Sequence, residues 1–282
     1  MAPLTEKYAR IPLLALAAAL LVAALAALWS IGPHGGMYRD LEKRRVAAAM
    51  RTDLFAASEA EKSAVLADTD EASLRFAESA RAAVSRLTSA LDRLKAGSGG
   101  GRETELLRDL ATALDEYRTA DAEVLDLAVQ NSNLKALALS HGPAEAQLDA
   151  LAAALAPLGD NPAALRLQLA VLRIQALHAP HVMEKTEDGM TRLEARMAKA
   201  DAAARAALDG LPHGRERAAA QRGYAAYWKL TGEIVALSRR NTNMRSLELS
   251  LTRTTRLAAG CAERLDRLEA LYQNRLGNKA TR

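Results

Sequence analysis

A single cysteine, Cys261, is all the thiol chemistry this chain has. That excludes an intrachain disulfide and a cysteine metal cluster, and a lone thiol suits either side of a bacterial membrane. Aromatic residues are scarce, at 4%, too few for the bulky inner faces of a packed sheet. The apolar half of the composition is rich in alanine, which suits long helices meeting along narrow seams. Blocks of like charge are missing. The 38 basic and 34 acidic side chains leave a net charge of +4 spread along the chain, and no basic stretch is interleaved with aromatics, so no nucleic-acid partner is called for. Catalytic patterns are missing as well. No Ser or Cys comes with a placed His base, and the glycines from Gly97 to Gly101 follow a helical pattern, as a linker does. Neither an enzyme nor a cofactor is expected.

What is present begins with an uncharged run from Ile11 to Ile31, flanked by Lys7 and Arg10 and then by Arg39. At about 1.5 Å per residue it spans roughly 30 Å, the thickness of a bilayer core. Leu28-Trp29-Ser30 is a poor cleavage site, and Trp29 stands where an interfacial aromatic belongs. Residues 1–35 therefore read as a tail and a single-pass anchor. Arg39, Lys43, Arg44, Arg45 and Arg51 beyond it favour keeping the following domain inside the cell, although long domains translocate despite such charges.

After the anchor the pattern is helical with three interruptions. It predicts helices over Tyr38 to Lys95, Glu103 to Ala156, Ala163 to Asp209, and on to Leu276, with Gly277-Asn278 as the last stop. Connections this short make neighbours antiparallel. The expected fold is all-α: a transmembrane helix, then a long antiparallel four-helix bundle over 36–276, then a polar tail over 277–282. In that arrangement the second and fourth helices run in the same direction across the bundle's diagonal.

The second and fourth helices share a phrase. Asn131-Ser132-Asn133-Leu134-Lys135-Ala136-Leu137 returns as Asn241-Thr242-Asn243-Met244-Arg245-Ser246-Leu247, and the likeness extends back through Glu123 and Val124 to Tyr117, against Glu233, Ile234 and Tyr227. A repeat at constant offset marks a duplicated helical hairpin whose copies pack together. Tyr227, Leu230, Ile234, Leu237, Asn241 and Met244 step by three and four, as do their counterparts from Tyr117 to Leu134. That spacing puts Asn131 and Asn241 on the core stripe, where the two should meet at one level.

With Glu233-Ile234-Val235-Ala236-Leu237 before it, this phrase resembles the four-helix-bundle sensor module of methyl-accepting chemotaxis receptors, over about Tyr38 to Leu276. The resemblance implies a ligand-sensing domain outside the cytoplasmic membrane, dimeric through its helices. It also implies a small-molecule ligand such as an amino or organic acid. Such receptors continue into a second span and a signalling hairpin, whereas here the fourth helix is followed by Gly277-Asn278-Lys279-Ala280-Thr281-Arg282. The expectation is a sensor without its own signalling domain, with a full-length chemoreceptor as a possible partner. The alternative is a structural or interaction protein that docks a membrane partner and binds no small molecule.

Three constellations are candidate sites. A core asparagine commonly fixes register, and Asn131 and Asn241 with Lys135 and Arg245 one turn on could also form a polar notch for a ligand. Phe76, Tyr117, Tyr227 and Trp228 form either a bulky core layer or a pocket lining, with Arg75 and Arg81 placed to hold an anion. His178 and His181 share a helix face, with His141 and Glu59 or Glu61 brought to similar height, a set that could bind a metal or serve a haem-carrying bundle. Gly142-Pro143 and Pro180 break helices at that level, which equally suits a hydrated kink.

Overall fold

The computed structural model describes residues 33–280, together with Ala19, Leu21 and Val22. The anchor expected over 11–31 lies almost wholly outside the described residues. Among those that are described, no helix is long and apolar enough to cross a membrane.

Every regular element described is helical. Helix α1 (Pro33–Val65) turns at 66–69 into α2 (Asp70–Ala96). Then come α3 (Arg102–Ala128), α4 (Ser132–Leu139) and α5 (Glu145–Leu155), the last two joined through a π-helical turn at Ser140–Ala144. Helix α6 (Pro162–Met183) precedes α7 (Glu187–Asp209) and α8 (Arg215–Arg240). A second π-helical turn at Ser250–Thr254 joins α9 (Thr242–Leu249) to α10 (Thr255–Ala280).

The first and third predicted helices are thus hairpins, not continuous rods. Each turn ends on a threonine that restarts the chain. Thr69 Oγ1 accepts the N–H of Ala72 at 3.1 Å, with Asp70 and Glu71 in the first turn of α2. Thr186 Oγ1 accepts the N–H of Gly189 at 3.1 Å, with Glu187 and Asp188 opening α7. A hydroxyl cap followed by acids satisfies orphan N–H groups and complements the helix dipole, which makes the break cheap. At the other end, Gly277-Asn278 does not stop α10, which runs to Ala280.

Contacts divide the described chain into two compact units. The first holds the residues up to Ala57, Ala82–Arg118 and those from Arg256 onward. Its core is built on Met50, Leu54, Leu87, Leu107, Leu110, Leu265 and Leu268, all nearly inaccessible. Burial of each such side chain is worth roughly 1.5–3 kcal/mol. Cys261 lies in this core, where burial pushes its thiol up to about 11 and leaves it unreactive. At one end Glu103 is completely buried, yet fully matched: it accepts from Lys43 Nζ at 2.6 Å, Arg275 Nη1 at 2.6 Å and Tyr272 Oη at 3.2 Å. Burial alone would raise the Glu103 carboxyl. The hydrogen bonds from Lys43, Arg275 and the Gly99 N–H outweigh it and hold the carboxyl below its ordinary range.

The second unit comprises Ser58–Arg81 and Thr119–Thr255. Its core joins α5, α6, α7 and α8 through Leu151, Leu155, Leu167, Ile174, Met197, Ala204, Tyr227 and Ile234. Helix α5 passes α8 with Leu151 against Gly223, where an added Cβ would lie 3.7 Å from the leucine. The phrase-bearing helices are antiparallel in this unit, with Leu151 beside Gly223 and Ser132 beside Thr242. They are antiparallel in the first unit too, where Glu103 meets Tyr272 and Arg275. This corrects the parallel diagonal pair of the sequence reading. A hairpin in place of each single rod reverses the chain once more before the second copy of the phrase.

Candidate functional site

The doubled phrase does bring its two copies together, by a device that spacing does not reveal. Asn131 and Asn241 both sit in the left-handed region, at φ 49° and 51°; the first ends a three-residue break at 129–131, and the second is a one-residue break between α8 and α9. Asparagine is among the few side chains that enter this region readily. The helices that restart there are capped by each other. The N–H of Ser132 donates to Thr242 Oγ1 at 3.1 Å, and the N–H of Thr242 to Ser132 Oγ at 3.1 Å. Likewise the N–H of Asn133 donates to Asn243 Oδ1 at 3.1 Å, and that of Asn243 to Asn133 Oδ1 at 3.3 Å. The orphan donors of two helix starts are therefore satisfied across a local twofold.

The amide side chains complete the crossing. Asn243 Nδ2 donates to Asn131 Oδ1 at 3.0 Å, and Asn133 Nδ2 to Asn241 Oδ1 at 2.9 Å. The remaining Asn131 amide donates to Asp70 Oδ1 at 2.9 Å, and the Asn241 amide to the Glu184 carbonyl at 3.3 Å. Each asparagine thus ties the crossing to a hairpin turn. Lys135 and Arg245 are exposed and turned outward. Lys135 pairs with Asp70 at 3.2 Å. The notch drawn from the sequence is filled by its own side chains.

One helical turn on, a polar layer crosses the second unit. His178 is fully buried, with Ser140 Oγ 3.1 Å from its Nδ1 and Thr231 Oγ1 3.3 Å from its Nε2. Burial, aided by His181 and His141, pushes its imidazole down to about 4, so it stays neutral near pH 7. Tyr227 lies 6.0 Å from the His178 ring and donates to Gln175 Oε1 at 3.2 Å. His181, also buried, has Ser238 Oγ at 2.8 Å and Glu194 Oε1 at 3.0 Å, and Arg239 grips that carboxylate at 2.6 and 3.0 Å. His141 is not part of this layer: it faces solvent beside Glu145, at 3.2 Å. Among the described residues no group of three or more His, Cys, Asp and Glu could hold a metal ion. The metal trio fails because the π turn at 140–144 sends Ser140 inward and leaves its neighbour outside.

The remaining sequence candidates are dispersed. Phe76 and Arg75 are exposed on α2, and Arg81 pairs with Asp126 at 2.9 Å on the surface. Trp228 is half-buried and stacks on Tyr224 at 6.5 Å. Tyr117 is buried in the core of the first unit.

What the sequence reading misses is on the outer surface of α6 and α7. An open groove of about 530 Å³ runs between them, floored by Ala170, Ala176, Ala200 and Ala203 and rimmed by Arg173, Arg196 and Lys199. No carboxylate lines it. The acids of α7 nearest in sequence are engaged elsewhere: Glu194 with Arg239, and Asp201 with Arg205 at 3.0 Å and with Tyr224. Three cations over an alanine floor make a surface that attracts anions with a small apolar body. The signal is visible in the sequence, since α6 carries Arg166 and Arg173 and no acid.

Comparison of the chain with family models, curated proteins and solved structures finds no match.

Proposed function

We propose that the chain is a membrane-anchored, chemoreceptor-like sensory bundle acting in signal transduction, tethered by its apolar run at 11–31, with its helical units on the periplasmic side. It takes an amino or organic acid in the groove between α6 and α7, not inside the bundle. The observation that carries this reading is the groove itself: Arg173, Arg196 and Lys199 surround an alanine floor without a lining carboxylate. The interior supports it by contrast, because Asn131, Asn133, Asn241 and His178 are bonded to one another or to neighbouring groups. A ligand that binds only the folded state raises the melting temperature by mass action. In a thermal-shift screen of the full chain, acids such as glutamate, succinate and citrate are expected to raise Tm, and their neutral amides are not. A flat screen rejects the reading.

A second reading, a structural or interaction protein docking a membrane partner, is favoured by a separate feature. Leu165, Leu169 and Leu172 of α6 stand half exposed.

A further inference from the structure

Helix α6 is apolar on two opposite faces, and only one of them is covered. Leu167, Val171, Ile174 and His178 face the core of the second unit. On the other side Leu165, Leu169, Leu172, Ala176, Ala179 and Met183 step by four and three along the exposed surface. Leu165, Leu169 and Leu172 are 49, 50 and 57% exposed, and Met183 62%. A surface helix normally turns one apolar stripe to the core and a polar face to water, and a four–three step is the seam of a helix pair. On the groove side the stripe is flanked by Arg166 and Arg173, on the other by Gln168 and Gln175, and α6 holds no carboxylate. In heptad terms the cations occupy positions that select a partner by charge.

We propose that this stripe docks an acidic amphipathic helix of a partner protein. The four–three spacing sets the helical form of the occupant, and Arg166 and Arg173 set its sign. An antiparallel second copy would set the arginines against each other, and a parallel one would set them against Gln168 and Gln175, so neither answers their charge. A helix lying on lipid sets its apolar face opposite a strongly charged one, whereas the face of α6 opposite this stripe is apolar and buried in the core. The inference goes beyond the small-acid reading and does not depend on it.

The test uses the full chain in zwitterionic nanodiscs and a fluorescent synthetic helix of about three heptads, with Leu at a and d and Glu at e and g. Fluorescence anisotropy is expected to show binding that weakens at least about tenfold in Leu169→Ser/Leu172→Ser, since both leucines leave water in the complex. Those positions are already exposed, and unchanged circular dichroism would confirm that the variant folds. A Lys-for-Glu version of the peptide is expected to bind the native chain poorly and to bind Arg166→Glu/Arg173→Glu well. Equal binding of both peptides, no binding, or undiminished binding by the leucine variant overturns the proposal. So does self-association of the chain that this variant abolishes, which would make a second copy the occupant. Adsorption to phosphatidylglycerol vesicles without peptide binding overturns it in favour of lipid. Arg173 also rims the groove, so the small-acid reading is tested separately on Arg196 and Lys199, and the leucine variant bears on the helix proposal alone.

Discussion

At the scale of single residues, the buried polar groups of the asparagine crossing and of the Glu103 cluster are tolerated because each is answered, and removing the answer has a calculable cost. Asn131 and Asn241 are the clearest case. Read as core positions of continuous helices, they would be improved by leucine. Their left-handed backbone reverses that expectation. Leucine there meets a penalty of roughly 1–2 kcal/mol for the conformation, and each stranded partner adds about 1–3 kcal/mol. Asn131→Leu/Asn241→Leu is therefore expected to lower stability in urea titration, and Asn131→Gly/Asn241→Gly to lower it less. A gain from leucine would show that the crossing is not the register device described. Glu103 makes a second case. Its carboxyl is held below the usual 4.5 in the folded chain, so the unfolded chain binds more protons in the window below that value. Its contribution is complete above about pH 4.5 and is lost as pH falls through the lower folded value. Glu103→Gln leaves Lys43 and Arg275 without their buried partner, at a cost of about 3 kcal/mol at neutral pH. Its stability is expected to fall less steeply than that of the native chain on acidification, as read by denaturation midpoints between pH 3 and 6.

Elements show how far local sequence could be read. Helical periodicity, the loops at 97–101 and 159–161, and the duplication were all legible, because apolar spacing and glycine clusters act locally. The turns inside the first and third predicted helices were masked. Apolar residues on both sides keep helical spacing, and neither turn contains glycine or proline. A signal existed in the matched Thr69-Asp70-Glu71 and Thr186-Glu187-Asp188, a cap and two acids in both copies. Thr186→Ala removes the acceptor for the Gly189 N–H and is expected to cost about 1 kcal/mol in chemical denaturation; no change would mean the cap does not define the break. The π-helical turns were less accessible. Pro143 explains the first by withholding a donor. The second has no proline, and there Thr252, Thr254 and Thr255 donate back to carbonyls at 2.7, 3.1 and 2.8 Å, a habit that loosens helices. The reversed direction follows from the second hairpin, since the one extra reversal between α6 and α7 turns a parallel pair into an antiparallel one.

For the whole molecule, duplication explains why polar groups recur at matched positions. It does not make the two copies alike on their surfaces. Helix α6 carries Leu165, Leu169, Leu172 and two arginines on its outer side, whereas α1 carries charges of both signs along its length. Asymmetry between duplicated halves is where binding specialises, because the shared positions are already committed to the fold. The candidate site was half legible for this reason: the phrase marked the duplicated joint, and the groove lay on a helix whose missing acids were easy to overlook. The central claim is that Arg196 and Lys199 give the α6–α7 groove its affinity for small acids. Calorimetric titration of the full chain with citrate tests it most directly, on the native chain and on Arg196→Ala/Lys199→Ala, at low and high salt. Saturable binding that weakens with salt and drops at least about tenfold in the variant is the expected result. Absence of binding, or equal binding by the variant, would contradict it.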